Sequence, residues 1–275
     1  LDSTGVDGIE MSIGGVNDFS AISSVTANSN ASNVDSSKAE SSESIGDLDS
    51  SALTSAWIYS ASDSEVSGIA TIDGGISASS TAKAAVAEGD FDADGITDLK
   101  IGVGGMLDLA GQSQVSGDVS ASSVSGAAEA ASGANVNSAT QSTAYTVWAY
   151  DSDASTVSGL KSIDIDVASD ATILGTAFGD FSTTAESTGA DATANAAQTM
   201  RGIEDLNLNL GGSGTINAIV SDTSYVSASS VSGNASATAS VNAIGLDGGD
   251  IQIAGDATIV SSVNVESDAV ASTVG

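Results

Sequence analysis

The sequence predicts an all-β chain, a parallel β-solenoid whose turns take about 21 residues and whose two ends are open. Three observations predict it. The first is an eleven-residue unit, GIEDLNLNLGG from Gly202, which is rewritten from Gly5 (GVDGIEMSIGG), Gly68 (GIATIDGGISA), Gly95 (GITDLKIGVGG), Gly159 (GLKSIDIDVAS) and Gly245 (GLDGGDIQIAG). The starts lie 63, 27, 64, 43 and 43 residues apart by subtraction, and all but the 27 fall near multiples of about 21, the scale of one solenoid turn. The second is alternation. Apolar residues occupy the second, fifth, seventh and ninth places of the unit, as in Ile203, Leu206, Leu208 and Leu210 or Ile96, Leu99, Ile101 and Val103. The last three alternate strictly, which is the period of a strand with one buried face. The third is the complete absence of proline, which suits a stack in which nearly every strand donates to a neighbour.

In chain order, the stretch from Gly5 to Ser67 reads as three turns, the third containing Trp57-Ile-Tyr59. The stretch from Gly95 to Ser158 again reads as three, its third containing Trp148-Ala-Tyr150. Both tryptophans precede the next unit's glycine by 11 residues, so the two stretches read as copies of a larger repeat. A further apolar residue follows five of the six units after a Gly, Ser or Asp bend, as Phe19, Leu109, Ile173, Ile216 and Ile259, so each turn reads strand, corner, strand. The intervening VSASSVSG runs at residues 119–126 and 226–233, followed by Ala alternating with Ser, Thr or Asn, lack an apolar stripe at helical spacing and read as strands over a thin core. Residues 28–49 are the weakest periodic region. The whole of 1–275 reads as one continuous solenoid cut as a window from a longer repetitive chain.

Composition bounds function. The chain has 36 acidic residues against five basic ones and a formal charge of −31. Spread over roughly 13 turns rising about 4.8 Å each, a rod roughly 60 Å long would carry charge near the density of duplex DNA. Such a surface repels nucleic acid and anionic membranes and gathers cations. No apolar run is long enough for membrane insertion as a helix. With no His and no Cys, the commonest general base and the thiol nucleophile are missing, and the scattered acids form no visible glycosidase pair. The chain therefore reads as no enzyme. Thr143, Thr172, Thr183 and Thr215 occupy no common register in this reading, which argues against a threonine ice-binding ladder.

Two constellations could bind. The interval from Gly68 to Gly95 exceeds one turn by about six residues, and its excess holds Asp90-Phe-Asp92-Ala-Asp94-Gly95-Ile-Thr-Asp98. Alternating carboxylates before a glycine resemble the calcium loops of EF-hand-like and dockerin-like repeats, making Asp90, Asp92, Asp94 and Asp98 candidate Ca²⁺ ligands. The twelfth-place glutamate is replaced by Ile101, and a solvated acidic loop is the competing reading. The aromatic pairs Trp57/Tyr59 and Trp148/Tyr150 each share one strand face. Exposed, they would dock glycans or a receptor; buried, they would fill a wide section of core.

The GIEDLNLNLGG-type units and VSASSVSG turns resemble the Ala/Ser/Gly-rich acidic β-solenoid repeats of very large bacterial extracellular filament and adhesin proteins, including those of marine cyanobacteria. The resemblance covers nearly the whole chain and is one of fold and composition. It implies an extracellular or cell-surface filament, stalk or adhesin shaft that continues axially by self-association or covalently. The alternative is a glycan- or receptor-binding solenoid module, phage fibres included.

Overall fold

A computed structural model of the chain describes residues 1–33, 42–81, 83–132 and 155–274. The described residues wind through six coils, each laying one strand, or two shorter ones, on a first sheet and one on a second. They are β1 (Asp2–Asp7) and β2 (Glu10–Ile13) with β3 (Asn17–Asn33); β4 (Ser42–Ser60) with β5 (Ser64–Ser80); and β6 (Ala85–Val103) with β7 (Leu107–Ser123). Then come β8 (Ala128–Ser132) and β9 (Ser155–Val167) with β10 (Ala171–Ser187); β11 (Ala192–Leu210) with β12 (Gly214–Ser230); and β13 (Ala235–Ile253) with β14 (Ala257–Thr273). The second sheet runs β3-β5-β7-β10-β12-β14, and the first follows the same coil order, with β2 beside β4 and β9 beside both β6 and β11. All pairings are parallel, as in Ala192↔Ala235 and Ala171↔Gly214. The chain is thus the parallel β-solenoid its sequence predicts.

The period of about 21 residues proves to be half a coil. One strand and its corner take that length, and stacked residues lie 43 apart, as Leu208 lies beside Ile251 and Ile76 beside Val119. Two steps are longer: 47 residues from the first coil to the second, and 64 where residues 133–154 intervene between β8 and β9. Six coils rising about 4.8 Å each make a stack about 29 Å tall, and strands of 17 to 19 residues at about 3.3 Å per residue make it about 60 Å broad. The molecule is a slab, so the expected 60 Å rod of 13 turns is corrected, and the charge is spread over two broad faces rather than packed along a line.

The register also explains the irregular spacing inside the unit. Gly95 and Ile96 are adjacent and both buried, as are Gly202 and Ile203, so the strand slips phase there. Two residues later the backbone turns left-handed, at Ser55 (φ 53°), Asp98 (53°), Ser162 (54°) and Asp205 (52°), with Gly8 and Gly248 in the same column at 67° and 74°. That bulge restores the alternation, which is why the second and fifth places are apolar rather than the second and fourth. Five of the six repeated glycines (Gly5, Gly95, Gly159, Gly202 and Gly245) form one column of the first sheet together with Ala52. Gly68 belongs to the second sheet, so the 27-residue interval is a step between sheets and no residues are inserted in it.

This glycine column pinches the slab. It faces a column of Ala21, Gly68, Gly111, Gly175, Ala218 and Ser261, and a Cβ added at Gly202 would lie 2.7 Å from Gly245 O and 2.8 Å from Ile219 N. At every coil at least one of the two facing residues is glycine, because two backbones this close leave no room for two Cβ atoms. On either side of the waist the core fills with ladders: Leu53, Ile96, Leu160 and Ile203 beside it, and Ile58, Ile101, Ile165 and Leu208 farther out, all buried. The far side narrows to alanine columns such as Ala78, Ala121, Ala185 and Ala228, as the Ala-rich runs predict. Phe91 and Phe181 are buried in the core, their ring centroids 6.4 Å apart. Serines close the far corner. Ser123 Oγ donates to Lys83 O (2.6 Å) and accepts from Gly126 N (2.9 Å), and Ser187 and Ser230 repeat the arrangement one coil on.

Candidate functional site

Asp90, Asp92 and Asp94 stand on β6, a regular strand paired residue for residue with β4, and not in a loop. Their side chains take the outward places between the buried Phe91 and Ala93, about 6.6 Å apart along the strand. A single Ca²⁺, with ligands at about 2.3–2.6 Å, spans no such row. Asp98 is exposed at the bulge beyond. Among the described residues no three carboxylates come together in a metal-holding group. The loop geometry is thus corrected: the glycine that suggested a loop bend, Gly95, belongs to the waist.

What the row does carry is charge out of place. Burial pushes Asp92 up to about 7, with Asp90, Asp49 and Asp94 adding to the rise and the Thr156 N–H, donating at 2.6 Å, opposing it. Burial and then Asp47 bring Asp90 up to about 6 against the Ser155 hydroxyl. Asp94 is raised by burial although the Lys161 charge opposes it. Asp49 rises through burial and the Asp47 and Asp2 carboxylates, and Glu129 through burial and Glu88. Burial leads in each case, and the register adds to it at Asp49, Asp90 and Asp92. Asp2, Asp49 and Asp92 stack in one column and Asp47 and Asp90 in the next, so like charges sit one strand spacing apart.

Trp57 and Tyr59 lie side by side on the outer face of the first sheet, 55% and 61% exposed, so they are not core fillers. Lys100 Nζ stands 5.9 Å from the Trp57 ring centroid and 3.7 Å from Asp164. Tyr59 lies against Gly102 of the next coil, where a Cβ would approach its ring to 3.1 Å. Trp148 and Tyr150 lie outside the described residues. Gly68 and Gly159, from which both tryptophans were counted, sit on opposite sheets, so the shared offset does not mark equivalent places.

Sequence reasoning missed two features. One is inside the core: Asp222 is fully buried, its Oδ2 accepts from Ser224 Oγ at 2.8 Å, and Ser224 Oγ meets Gln198 Oε1 at 3.3 Å. Burial raises Asp222 to about 6. Its place in the alternation, two residues from Val220, was the available signal. The other is a column of Thr172, Thr215 and Thr258, which corrects the expectation that Thr172 and Thr215 share no register, since their spacing of 43 is one whole coil. The column borders a shallow groove of about 380 Å³ with Asp108, Asp170 and Asp256 on its walls. Thr183 points into the core instead.

The two ends of the stack leave strand edges unpaired among the described residues. Among the described residues β13 pairs only with β11 and β14 only with β12, while β3 pairs only with β5 and β1 and β2 only with β4. Their outer backbone groups have no strand to bond. The ladders end there too. Ile216 is fully buried, and Ile259, next in its column, is 50% exposed; Val263 and Val265 are open likewise. At the other end Val6, Met11 and Phe19 are only partly buried. Chemically the described residues offer backbone pairing at the edges of the slab and aromatic and carboxylate contacts on one face.

Compared with models of protein families, with curated proteins and with solved structures, the chain matches none.

Proposed function

We propose that this chain is a structural part of an extracellular or cell-surface assembly: a stiff, acidic β-solenoid segment that serves as filament, stalk or adhesin shaft and continues along its axis coil upon coil. One observation carries the reading. The ladders run out at both ends with their apolar side chains and edge backbone groups still presented, and long edge strands such as β3, β13 and β14 pair with further strands unless blocked. The charge of −31 supports it, since two acidic faces resist side-by-side aggregation while leaving the ends free to join. In this role the fold itself is the product and catalysis is absent. Electron microscopy and sedimentation across protein concentration test the reading at raised salt. Stacks growing in steps of about 29 Å are expected. A sedimentation coefficient that stays at the single-chain value at every concentration and salt overturns it.

The exposure of Trp57 and Tyr59 favours a second reading, a glycan-binding face. Paired flat rings with Lys100 and Asp164 beside them offer stacking and hydroxyl contacts to a neutral sugar chain. Co-sedimentation with insoluble neutral polysaccharides, lost in the Trp57→Ala/Tyr59→Ala variant whose circular dichroism is unchanged, is the expected result. Equal retention of both proteins removes this reading.

A further inference from the structure

Resting on the axial reading above, we infer that the partner of the open sixth coil is the first coil of a second copy, laid on it in the same register that joins the coils within one chain. The columns match. The columns of the first sheet that coil one occupies, from Ser3 to Ile13, can be followed from coil one to coil six through the residue pairings, and the next place after coil six is coil one again, while Ala235–Ser240 of β13 have no counterpart in coil one. Gly245 would be followed by Gly5, Leu246 by Val6, Ile251 by Met11 and Ile253 by Ile13; on the second sheet Ile259 would be followed by Phe19 and Ala271 by Ala31. Apolar meets apolar in each pair, and the waist stays clear because Gly5 brings no Cβ against Ser261.

The backbone narrows the choice further. Only the first sheet carries the left-handed bulge, and at the two ends its column holds Gly248 and Gly8. A copy turned by half a coil would set that bulge against a regular strand of the second sheet and lose edge hydrogen bonds on both sides of it. A head-to-head copy would reverse the strand direction and scramble every column. The in-line, first-sheet-on-first-sheet arrangement alone keeps bulge on bulge.

One feature opposes this junction. Asp247 would stand beside Asp7 and Asp250 beside Glu10, two like-charged pairs in neighbouring columns, the first softened by Arg201, whose Nε lies 2.9 Å from Asp247 Oδ2. Within the chain such columns persist, as Asp18, Glu65 and Asp108 show, because the rest of the strand holds them. Between copies the repulsion weakens the joint, and salt relieves it. The joint therefore tightens as ionic strength rises, the reverse of one held by ion pairs.

The chain has no cysteine, so engineered pairs report the register cleanly. Ser12 and Gln252 share an exposed outward column, and stacked Cα atoms about 4.8 Å apart lie within disulfide reach. Mild oxidation of the Ser12→Cys/Gln252→Cys variant is expected to give a ladder of oligomers on denaturing gels that collapses with dithiothreitol and forms several-fold faster in 500 mM than in 50 mM NaCl. The Ser12→Cys/Asn264→Cys variant, whose second site is on the other face, should give no ladder. A second readout avoids dependence on disulfide geometry: Asp250→Lys, which would face Glu10, is expected to raise assembly at low salt at least several-fold. Equal ladders from both cysteine pairs, or no ladder together with no gain from Asp250→Lys, overturn the register. If filaments still form in that case the axial reading survives without this inference; if none form at any salt, both fall.

Discussion

Replacing Gly202 with alanine tests whether two backbones meet at the waist. The added Cβ would lie 2.7 Å from Gly245 O, 2.8 Å from Ile219 N and 3.1 Å from Ala218 C. All three are main-chain atoms, in the next coil and in the opposite sheet, so no side-chain rotation relieves them. Restoring an ordinary separation of about 3.4 Å from Gly245 O means parting the strands by about 0.7 Å, and the ladders on either side then lose their close contact. Overpacking of this kind costs about 1–3 kcal/mol, and involvement of three strands places it near the top of that range. Alanine recovers about 0.5–1 kcal/mol by restricting the unfolded chain, which leaves a net loss of about 2 kcal/mol. Urea unfolding followed by far-ultraviolet circular dichroism reads this as a lowered midpoint at unchanged slope. Gly102→Ala is the control, since its new Cβ would meet only the movable, exposed Tyr59 ring at 3.1 Å, and its effect should stay within about 0.5 kcal/mol. A Gly202→Ala protein as stable as its parent would refute the waist.

Asp92 at about 7 and Asp90 and Asp222 at about 6, with Asp49, Asp94 and Glu129 also raised, all bind protons more tightly folded than unfolded. Their contribution is complete below the unfolded values of 3.8 and 4.5 and is lost as pH rises through about 6 to 7. The urea midpoint should accordingly be higher at pH 4.5 than at pH 8, with Asp222→Asn flattening the slope near pH 6; a midpoint that climbs with pH contradicts this. Ser123→Ala removes a donor to Lys83 O and an acceptor for Gly126 N in a buried corner, a loss of about 1–3 kcal/mol by the same assay. At Asp205, where φ is 52°, Val should cost about 1–2 kcal/mol and Gly nothing; equal losses would mean the bulge is not rigid.

The strands and their inward residues were legible because alternation around Ile, Leu and Val is imposed by burial on one face, and Leu206, Leu208 and Leu210 show it without ambiguity. Coil length was not. Strand and corner repeat alike on both sheets, so a period of 21 and one of 43 leave the same mark until pairing shows which residues stack. That error carried forward to Asp90, Asp92 and Asp94. Counted in turns of 21 they look like an insertion, and paired with Asp47, Asp49 and Ser51 they are an ordinary strand with too many acids on its outer side. Trp57 and Tyr59 were correctly placed on one face, but alternation says only that two residues share a side and not which side faces water. The bulge lay in plain view as a gap of three between the second and fifth places. It went unread because Ser and Asp, rather than glycine, occupy the left-handed positions in four of the coils.

The 43-residue offset between stacked residues also governs how such a chain comes to be folded and how it is lost. No strand can gain a partner before the chain has closed a loop of that length, at an entropic cost of about 3 kcal/mol beyond a constant. The first two coils must do so with nothing to lie on, whereas each later coil settles on a finished edge. Folding is therefore slow to begin and quick to extend, the behaviour of a crystal rather than of a globule. Loss runs the same route backwards. An inner coil is held from both sides and an outer one from only one, so the molecule frays from its ends while its middle stays whole.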